Sequence, residues 1–274
     1  MLRAKQSEIL DQGSVPEELV GRAYRELSRI HHWLGDTRSI VRAIRRNPLP
    51  VRHILDIGCG TGLVAEEVHR RLGIKVTGVD IRTYSTINAC VPIIEADATR
   101  DTLPVADVAY SMHFGHHLSE SDLRALIRNV GRFCRRFILL DLVRHPLPLA
   151  LFRVFVAPLL SPISAEDGCR SVRRSYTPVE FRNIAASALE GEKAVCRFSV
   201  APLYIRQSLD ISYHRSSCDD ALVPSLQPKP SHLKSWEPPE SGSTAIQYAS
   251  PLPTSDCAAT RQAVSPRASS EEQR

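Results

Sequence analysis

The chain has 274 residues, of which 43% are apolar, and a net charge of +5. That is enough for one domain with a substantial core, and too little dispersed positive charge for a nucleic-acid binder. Seven cysteines stand far apart without a Cys-x-x-Cys pair, which argues against a disulfide framework or a cysteine zinc site and fits reduced thiols in a cytoplasmic protein.

No apolar signal region opens the chain, and no uninterrupted run of about 20 apolar residues occurs, so neither secretion nor a membrane span is expected. Residues 1–13 read as unstructured. Ser14, Pro16 and Glu17 form a helix start signal, Val20, Tyr24, Leu27, Ile30 and Leu34 share one face, and Gly35 closes the helix. A second short helix carries Ile40, Val41 and Ile44 and stops at Asn47-Pro48. Residues 14–50 thus form an N-terminal helical segment.

Ile54-Leu55-Asp56-Ile57 reads as a buried strand that runs into Gly58-Cys59-Gly60-Thr61-Gly62 and then a helix from Leu63. Alternating glycines allow a sharp turn with no Cβ in the way of a ligand, and the helix start behind them offers unpaired N–H groups. Asp56 is out of place in a phosphate site and suits a ligand with a positive charge. Val76 to Asp80 is a second strand. Its final carboxylate lies 18 residues beyond Gly62, where it would reach the ribose hydroxyls of a nucleoside held on the first turn. Arg82 to Val91 has little helical pattern, so a short, irregular crossover is expected there. Pro92 to Asp97 is a third strand and Asp107 to Met112 a fourth. Ser119 and Asp122 cap a helix with Leu123, Leu126, Ile127, Val130 and Cys134 inward. Phe137 to Asp141 is a fifth, doubly covered strand. Thr177-Pro178-x-Glu180 starts a helix to about Leu189, and Val195–Val200 with Leu203–Ile205 suggest a terminal hairpin. The proline- and serine-rich remainder has no periodic apolar face and reads as disordered.

The pattern Asp56-x-Gly58-x-Gly60-x-Gly62 brings the third glycine one residue earlier than a dinucleotide-binding Gly-x-Gly-x-x-Gly. It resembles the first motif of class I S-adenosylmethionine (SAM)-dependent methyltransferases, and the resemblance covers about residues 15–210. It implies an α/β fold: a Rossmann-like, doubly wound, mostly parallel seven-stranded sheet with a terminal β-hairpin and N-terminal cap helices. The domain would span 51–212, with a disordered tail at 213–274. SAM would sit with its amino group near Asp56 and Gly58, Cys59, Gly60 and Gly62 around it. Asp80 and Ile81, Asp97 and Ala98 (toward the adenine), and Met112 and His113 complete the expected contacts. The N-terminal helices would either cover this site or simply pack on the domain edge.

After the fourth strand stands Met112-His113-Phe114-Gly115-His116-His117-Leu118. It has neither the Pro-Pro motif of amino-methylating enzymes nor the carboxylates that hold a metal ion in catechol-type enzymes, so no metal is expected. The stretch is similar to small-molecule methyltransferases of the quinone and polyketide kind, and Asp167-Gly168 with Ser171–Glu180 resembles bacterial members of that group. The implied reaction is metal-independent methyl transfer to an oxygen, or a carbon, of a small apolar or aromatic acceptor. His116 and His117 are the candidate general bases, or else hydrogen-bonding loop residues. Arg173 and Arg174 would bind an anionic acceptor or lie in solvent, and Leu147–Leu160 would form an apolar lid or pack on the domain. Peripheral membrane contact and oligomeric state stay open. A SAM-binding module without catalysis is the alternative; a nicotinamide reductase is disfavoured by the glycine spacing and Asp56.

Overall fold

The structure, a computed structural model, describes residues 1–4, 6, 8–10, 16–82 and 90–214. Its sheet forms from β1 (His53–Ile57), β2 (Lys75–Asp80), β3 (Ile93–Glu95), β4 (Ala106–Met112), β5 (Cys134–Asp141), β6 (Ala194–Val200) and β7 (Gln207–Tyr213). The strand order is β3-β2-β1-β4-β5-β7-β6. The first five strands run parallel, and β7 is antiparallel to both β5 and β6. The order reverses between β1 and β4, where Asp56 aligns with Tyr110. That reversal opens a crevice beyond the carboxyl ends of the two strands, the ligand position in this type of sheet.

The helices are α1 (Glu17–Leu34), α2 (Asp36–Arg45), α3 (Leu63–Leu72), α4 (Glu120–Phe133), α5 (Pro146–Leu151), α6 (Pro162–Arg174) and α7 (Pro178–Ala188). β1 reads as an unbroken apolar run because both faces are covered. Ile54 packs with Ile40, Ile44, Ala65 and Val68 on one side. Leu55 and Ile57 pack with Leu123, Leu126, Phe181 and Ile184 on the other. No helix of the described residues is long and apolar enough to cross a membrane.

Local chemistry sets the helix ends. Gly35 ends α1 at φ 76° with its N–H on the carbonyls of His31 and His32. Ser119 caps α4 by accepting from the Asp122 N–H. Thr177 and Glu180 form a reciprocal capping box with Pro178 in the first turn of α7. Ser14 and the 83–89 crossover lie outside the described residues; α1 begins behind Pro16.

Two expectations differ from the structure, and one helix was not expected. Leu203–Ile205 is not a strand. Pro202, with no N–H to donate to a ladder, opens a tight 3-10 turn at Pro202–Tyr204 in which Leu203 takes φ 59°. The second strand starts at Gln207, where Leu209 and Ile211 alternate inward. α6 had no sequence expectation, because its buried face is small and polar (Ser164, Gly168, Ser171) rather than apolar. Described residues of the 1–13 segment make specific contacts: the Ala4 N–H donates to Arg173 O, Arg3 donates to the carbonyls of Arg174, His116 and Leu118, and Glu8 and Leu10 are buried.

Candidate active site

A cavity of about 580 Å³ opens at the carboxyl ends of β1, β2 and β4. Gly58, Gly60 and Gly62 all have positive φ (71°, 54° and 76°), which explains the glycine at every second position. The N–H groups of Gly58 and Cys59 donate to Val79 O, and the Gly60 N–H donates to Asp80 Oδ2 at 2.7 Å. The turn is thereby stitched to the end of β2. Above it, Tyr24 of α1 and Phe114 close in: a Cβ on Gly60 would stand 2.7 Å from Tyr24 Cε1, and one on Gly58 2.4 Å from Phe114 Cγ.

Asp56 is 3% exposed, faces this cavity, and its Oδ2 has no hydrogen-bond partner. Burial, reinforced by the charge of Asp80, pushes its pKa up to about 7. A buried carboxylate oxygen without a hydrogen-bond partner, on a residue that lines a ligand cavity, favours a cation there. Asp80 is also raised by burial, with one oxygen on Gly60 N and the other on Arg82 N. The Cys59 thiol is pushed well up by burial and by both carboxylates, so it stays protonated and serves as a packing group. Asp97 accepts from the N–H and hydroxyl of Thr99 and so shapes its own turn. Of the expected cofactor contacts, Asp56, Gly58, Cys59, Gly60, Asp80, Ile81, Asp97, Ala98, Met112 and His113 line the cavity. Gly62 does not, and instead stands at the N-cap of α3. The orphaned Asp56 oxygen, the glycine cradle and the Asp80 carboxylate fit the ammonium and ribose ends of SAM.

The other half of the cavity is built from distant parts of the chain. His116 is 1% exposed. Its Nδ1 lies 2.7 Å from Asp141 Oδ1 at the end of β5, and its Nε2 lies 3.3 Å from Glu8 Oε1. Burial alone would lower the His116 pKa, but the Asp141 and Glu8 carboxylates outweigh it and push it up to about 10. The ring therefore keeps its proton at neutral pH, which leaves it no lone pair for base catalysis. Glu8 also accepts from the Ser171 hydroxyl at 2.7 Å, and His117 Nε2 is 3.7 Å from Glu8 Oε1.

A second cluster joins α1, α2, β4 and the turn before β7. Asp36 Oδ2 is 3.0 Å from His113 Nε2 and 3.2 Å from His31 Nδ1, the two rings stack at 4.4 Å, and Arg206 donates to Asp36 Oδ1. Burial would raise the Asp36 pKa, but His113 and His31 hold it well below the usual carboxylate range. His31 is driven down to about 4, chiefly by burial, and is neutral. His113 Nδ1 is buried without a partner on a ring that lines the cavity, and the residue sits at φ 55°. Both clusters, Glu8–His116–His117 and His31–Asp36–His113, bring ligand-type atoms within 4.8 Å of one another and are the places where a divalent cation could be held.

The sequence reading missed Glu8, Tyr24, His31, Asp36 and Asp141, since no spacing links them to the glycine motif. Of the N-terminal alternatives, the structure shows cover: Tyr24, Leu27, Ile30 and His31 wall the cavity. Gly168, Ser171 and Val172 line it too, as does Phe152 of the apolar segment. Arg173 and Arg174 do not; their carbonyls receive the N-terminal residues, and the Arg174 guanidinium donates to His117 O.

A family profile described as a methyltransferase domain matches residues 54–136. The chain is 26% identical over 168 residues to the O-methyltransferase resE of Aspergillus sclerotiorum, covering 54% of this chain and 61% of that protein. It is 30% identical over 115 residues to an O-methyltransferase of Pyrenophora dematioidea, covering 36% of this chain and 42% of that one. The chain thus spans about three-fifths or less of these relatives. Among solved structures, the plantazolicin methyltransferase BamL in complex with a triazolic desmethylPZN analog and SAH superposes with a TM-score of 0.57 at 13% identity, over 74% of this chain and 92% of that one. The plantazolicin methyltransferase BpumL in complex with SAH gives 0.54 at 12% identity, over 70% and 90%. A methyltransferase-domain profile thus matches part of the chain, and the fold is the one seen in the plantazolicin methyltransferases.

Proposed function

We propose that this protein transfers the methyl group of SAM to an oxygen of a small apolar or aromatic acceptor, without a metal ion. The observation that carries the reading is the buried Asp56 carboxylate, whose Oδ2 has no hydrogen-bond partner, beside a glycine turn whose backbone is held by Asp80. A cationic amino group satisfies Asp56; a pyrophosphate does not. When bound, SAM supplies an electrophilic methyl on a sulfonium. The chain's part is to hold the acceptor oxygen in line with it, exclude water and take the acceptor's proton.

For the proton, His113 is the best-placed base. Its Nε2–H donates to Asp36, which fixes the tautomer and leaves Nδ1 as the unpartnered nitrogen of a ring that lines the cavity, the logic of a carboxylate-oriented histidine. His116, clamped as a cation between Asp141 and Glu8, orients the loop, and His117 beside it faces the acceptor space. The metal-free reading rests on how the carboxylates are used: Asp36 is engaged by His113, His31 and Arg206, and Glu8 by His116 and Ser171. The O-methyltransferase relatives support oxygen as the accepting atom.

The test is methyl transfer from labelled SAM to a panel of phenols and quinols, with and without chelator, alongside SAM binding. Transfer that survives chelation supports the proposal. SAM binding without transfer to any acceptor would leave a SAM-binding module, and abolition by chelator would overturn the metal-free mechanism.

A further inference from the structure

On the acceptor side the cavity is walled by α1 and by the wide turn Phe152–Val156 that follows α5. The seam between these two elements continues beyond the cavity. Ile30, Leu34 and Phe152 line the inner side. Outside, the same elements bound a groove of about 150 Å³ whose apolar walls include Trp33, Phe155, Val156 and Leu159. Ile30 and Leu34 belong to both linings, so the groove adjoins the cavity across these two side chains.

Three further facts give the groove a character. Trp33, Phe155 and Leu159 are 71%, 66% and 68% exposed, an apolar concentration of the kind that marks a binding surface. The Phe152–Val156 turn is π-helical, a wide form that recurs at functional sites. The segment is also anchored to α1 at one place: the N–H and hydroxyl of Ser161 donate to Glu26 Oε2, at 3.1 and 2.7 Å. Glu26 lies about two helical turns before Trp33, so the seam is pinned at one end and bordered by bulky apolar side chains at the other.

We propose that this groove receives an apolar chain carried by the methyl acceptor, which leaves the cavity past Ile30 and Leu34 and lies against Trp33, Phe155 and Leu159. This rests on the methyl-transfer reading above and names its substrate class: an oxygen-bearing head group with an alkyl or similarly apolar extension. Continuity with the cavity selects this occupant. A membrane or a second copy of the chain would cover the rim, but neither accounts for a concave groove that shares Ile30 and Leu34 with the acceptor space.

The experiment measures binding of 4-alkylphenols, from 4-methylphenol to 4-octylphenol, to the full chain in the presence of SAH. The protein has two tryptophans, so the Trp236→Phe variant reports on Trp33 alone. Each added methylene should tighten binding up to about three- to fourfold, with a blue shift of Trp33 emission at the longer chains. Leu159→Asp, checked for fold by its melting curve, should abolish the chain-length increment, and Phe155→Asp should do the same. Binding that is flat with chain length overturns the proposal, as does an increment that survives both substitutions or a Trp33 spectrum that never moves. If the groove substitutions instead abolish vesicle sedimentation or self-association while chain length has no effect, the face belongs to a membrane or a second copy and the proposal fails. Chain-length-dependent binding without methyl transfer would break the functional reading and leave the groove assignment standing.

Discussion

The two halves of the cavity are built in opposite ways. The cofactor half is local: one stretch, Asp56 to Gly62, makes the turn, and the ends of β2 and β3 follow it in chain order. Asp80 and Asp97 are engaged by neighbouring N–H and hydroxyl groups, and Asp56 Oδ2 is buried without a partner. The acceptor half draws Glu8, His31, Asp36, His113, His116 and Asp141 from five separate segments that hold one another through hydrogen bonds and ion pairs, with His113 Nδ1 and Asp141 Oδ2 left over. A buried carboxylate with an unsatisfied oxygen suits a charged ligand; a network of paired histidines and carboxylates fixes ring orientation and the shape of the acceptor space. On the proposed reading, one half governs what binds and the other how the acceptor is held and deprotonated.

The largest effect should come from the acceptor half. His113→Ala is expected to lower turnover by about 10²–10⁴-fold, the usual worth of a positioned proton acceptor, with SAM affinity little changed. His116→Ala or His117→Ala reducing turnover that far while His113→Ala does not would move the base to the other cluster. Next is the cofactor half. Gly60→Leu puts a side chain at φ 54° and against Tyr24, and SAM affinity should fall by about 100-fold or more in a variant that still melts cooperatively. Undiminished affinity would break the placement of the cofactor on this turn. Glu8→Gln keeps the shape but removes the charge facing His116; an increase in acceptor KM of about tenfold, without a matching loss of SAM affinity, is expected. If SAM affinity falls as much as acceptor affinity, the halves are not separable in this way. The smallest effect is expected outside the cavity. A chain ending at His214 keeps the last sheet hydrogen bond, His214 N–H to Lys193 O, and its melting temperature should move by less than about 2 °C.

The same contrast explains what could be read from sequence. Periodic apolar positions and glycines at fixed spacing are local signals, so β1, α3, β5, the capping box of α7 and the residues that line the glycine-turn side of the cavity were legible. Ile54 and Leu55 each reported a covered face, and the strand-end acids lay in register with the turn. Glu8 carried no such signal, because its role depends on the tether of Arg3 and Ala4 to the carbonyls ending α6. Asp36 looked like an ordinary first-turn acid of α2; its pairing with His113, 77 residues away, exists only once the sheet has formed. The β7 boundary failed for a local reason: Leu203-Tyr204-Ile205 has strand-like composition, but Pro202 and the positive φ at Leu203 and Tyr204 turn it into the corner. Ser164, Gly168 and Ser171 hid α6 because close packing there selects small residues, and Phe152 leaves no room for a Cβ at Gly168.

The central claim is that Asp56 is held ready for the ammonium end of SAM, and titration calorimetry of SAM against pH tests it most directly. Asp56 has a folded pKa of about 7 against about 3.9 in an unfolded chain. Because the folded pKa is raised, the free protein loses stability as pH climbs from about 4 to about 7, by a few kcal/mol, and no further above that. Ionised Asp56 is also the form that pairs with the ligand. SAM affinity should therefore rise as pH increases through about 7 and then level off. Asp56→Asn should be more stable than the parent at pH 8, bind SAM at least about tenfold more weakly, and show no such rise. NAD should not bind either protein. An Asp56→Asn variant with unchanged SAM affinity, or a parent protein that prefers NAD, would contradict the account.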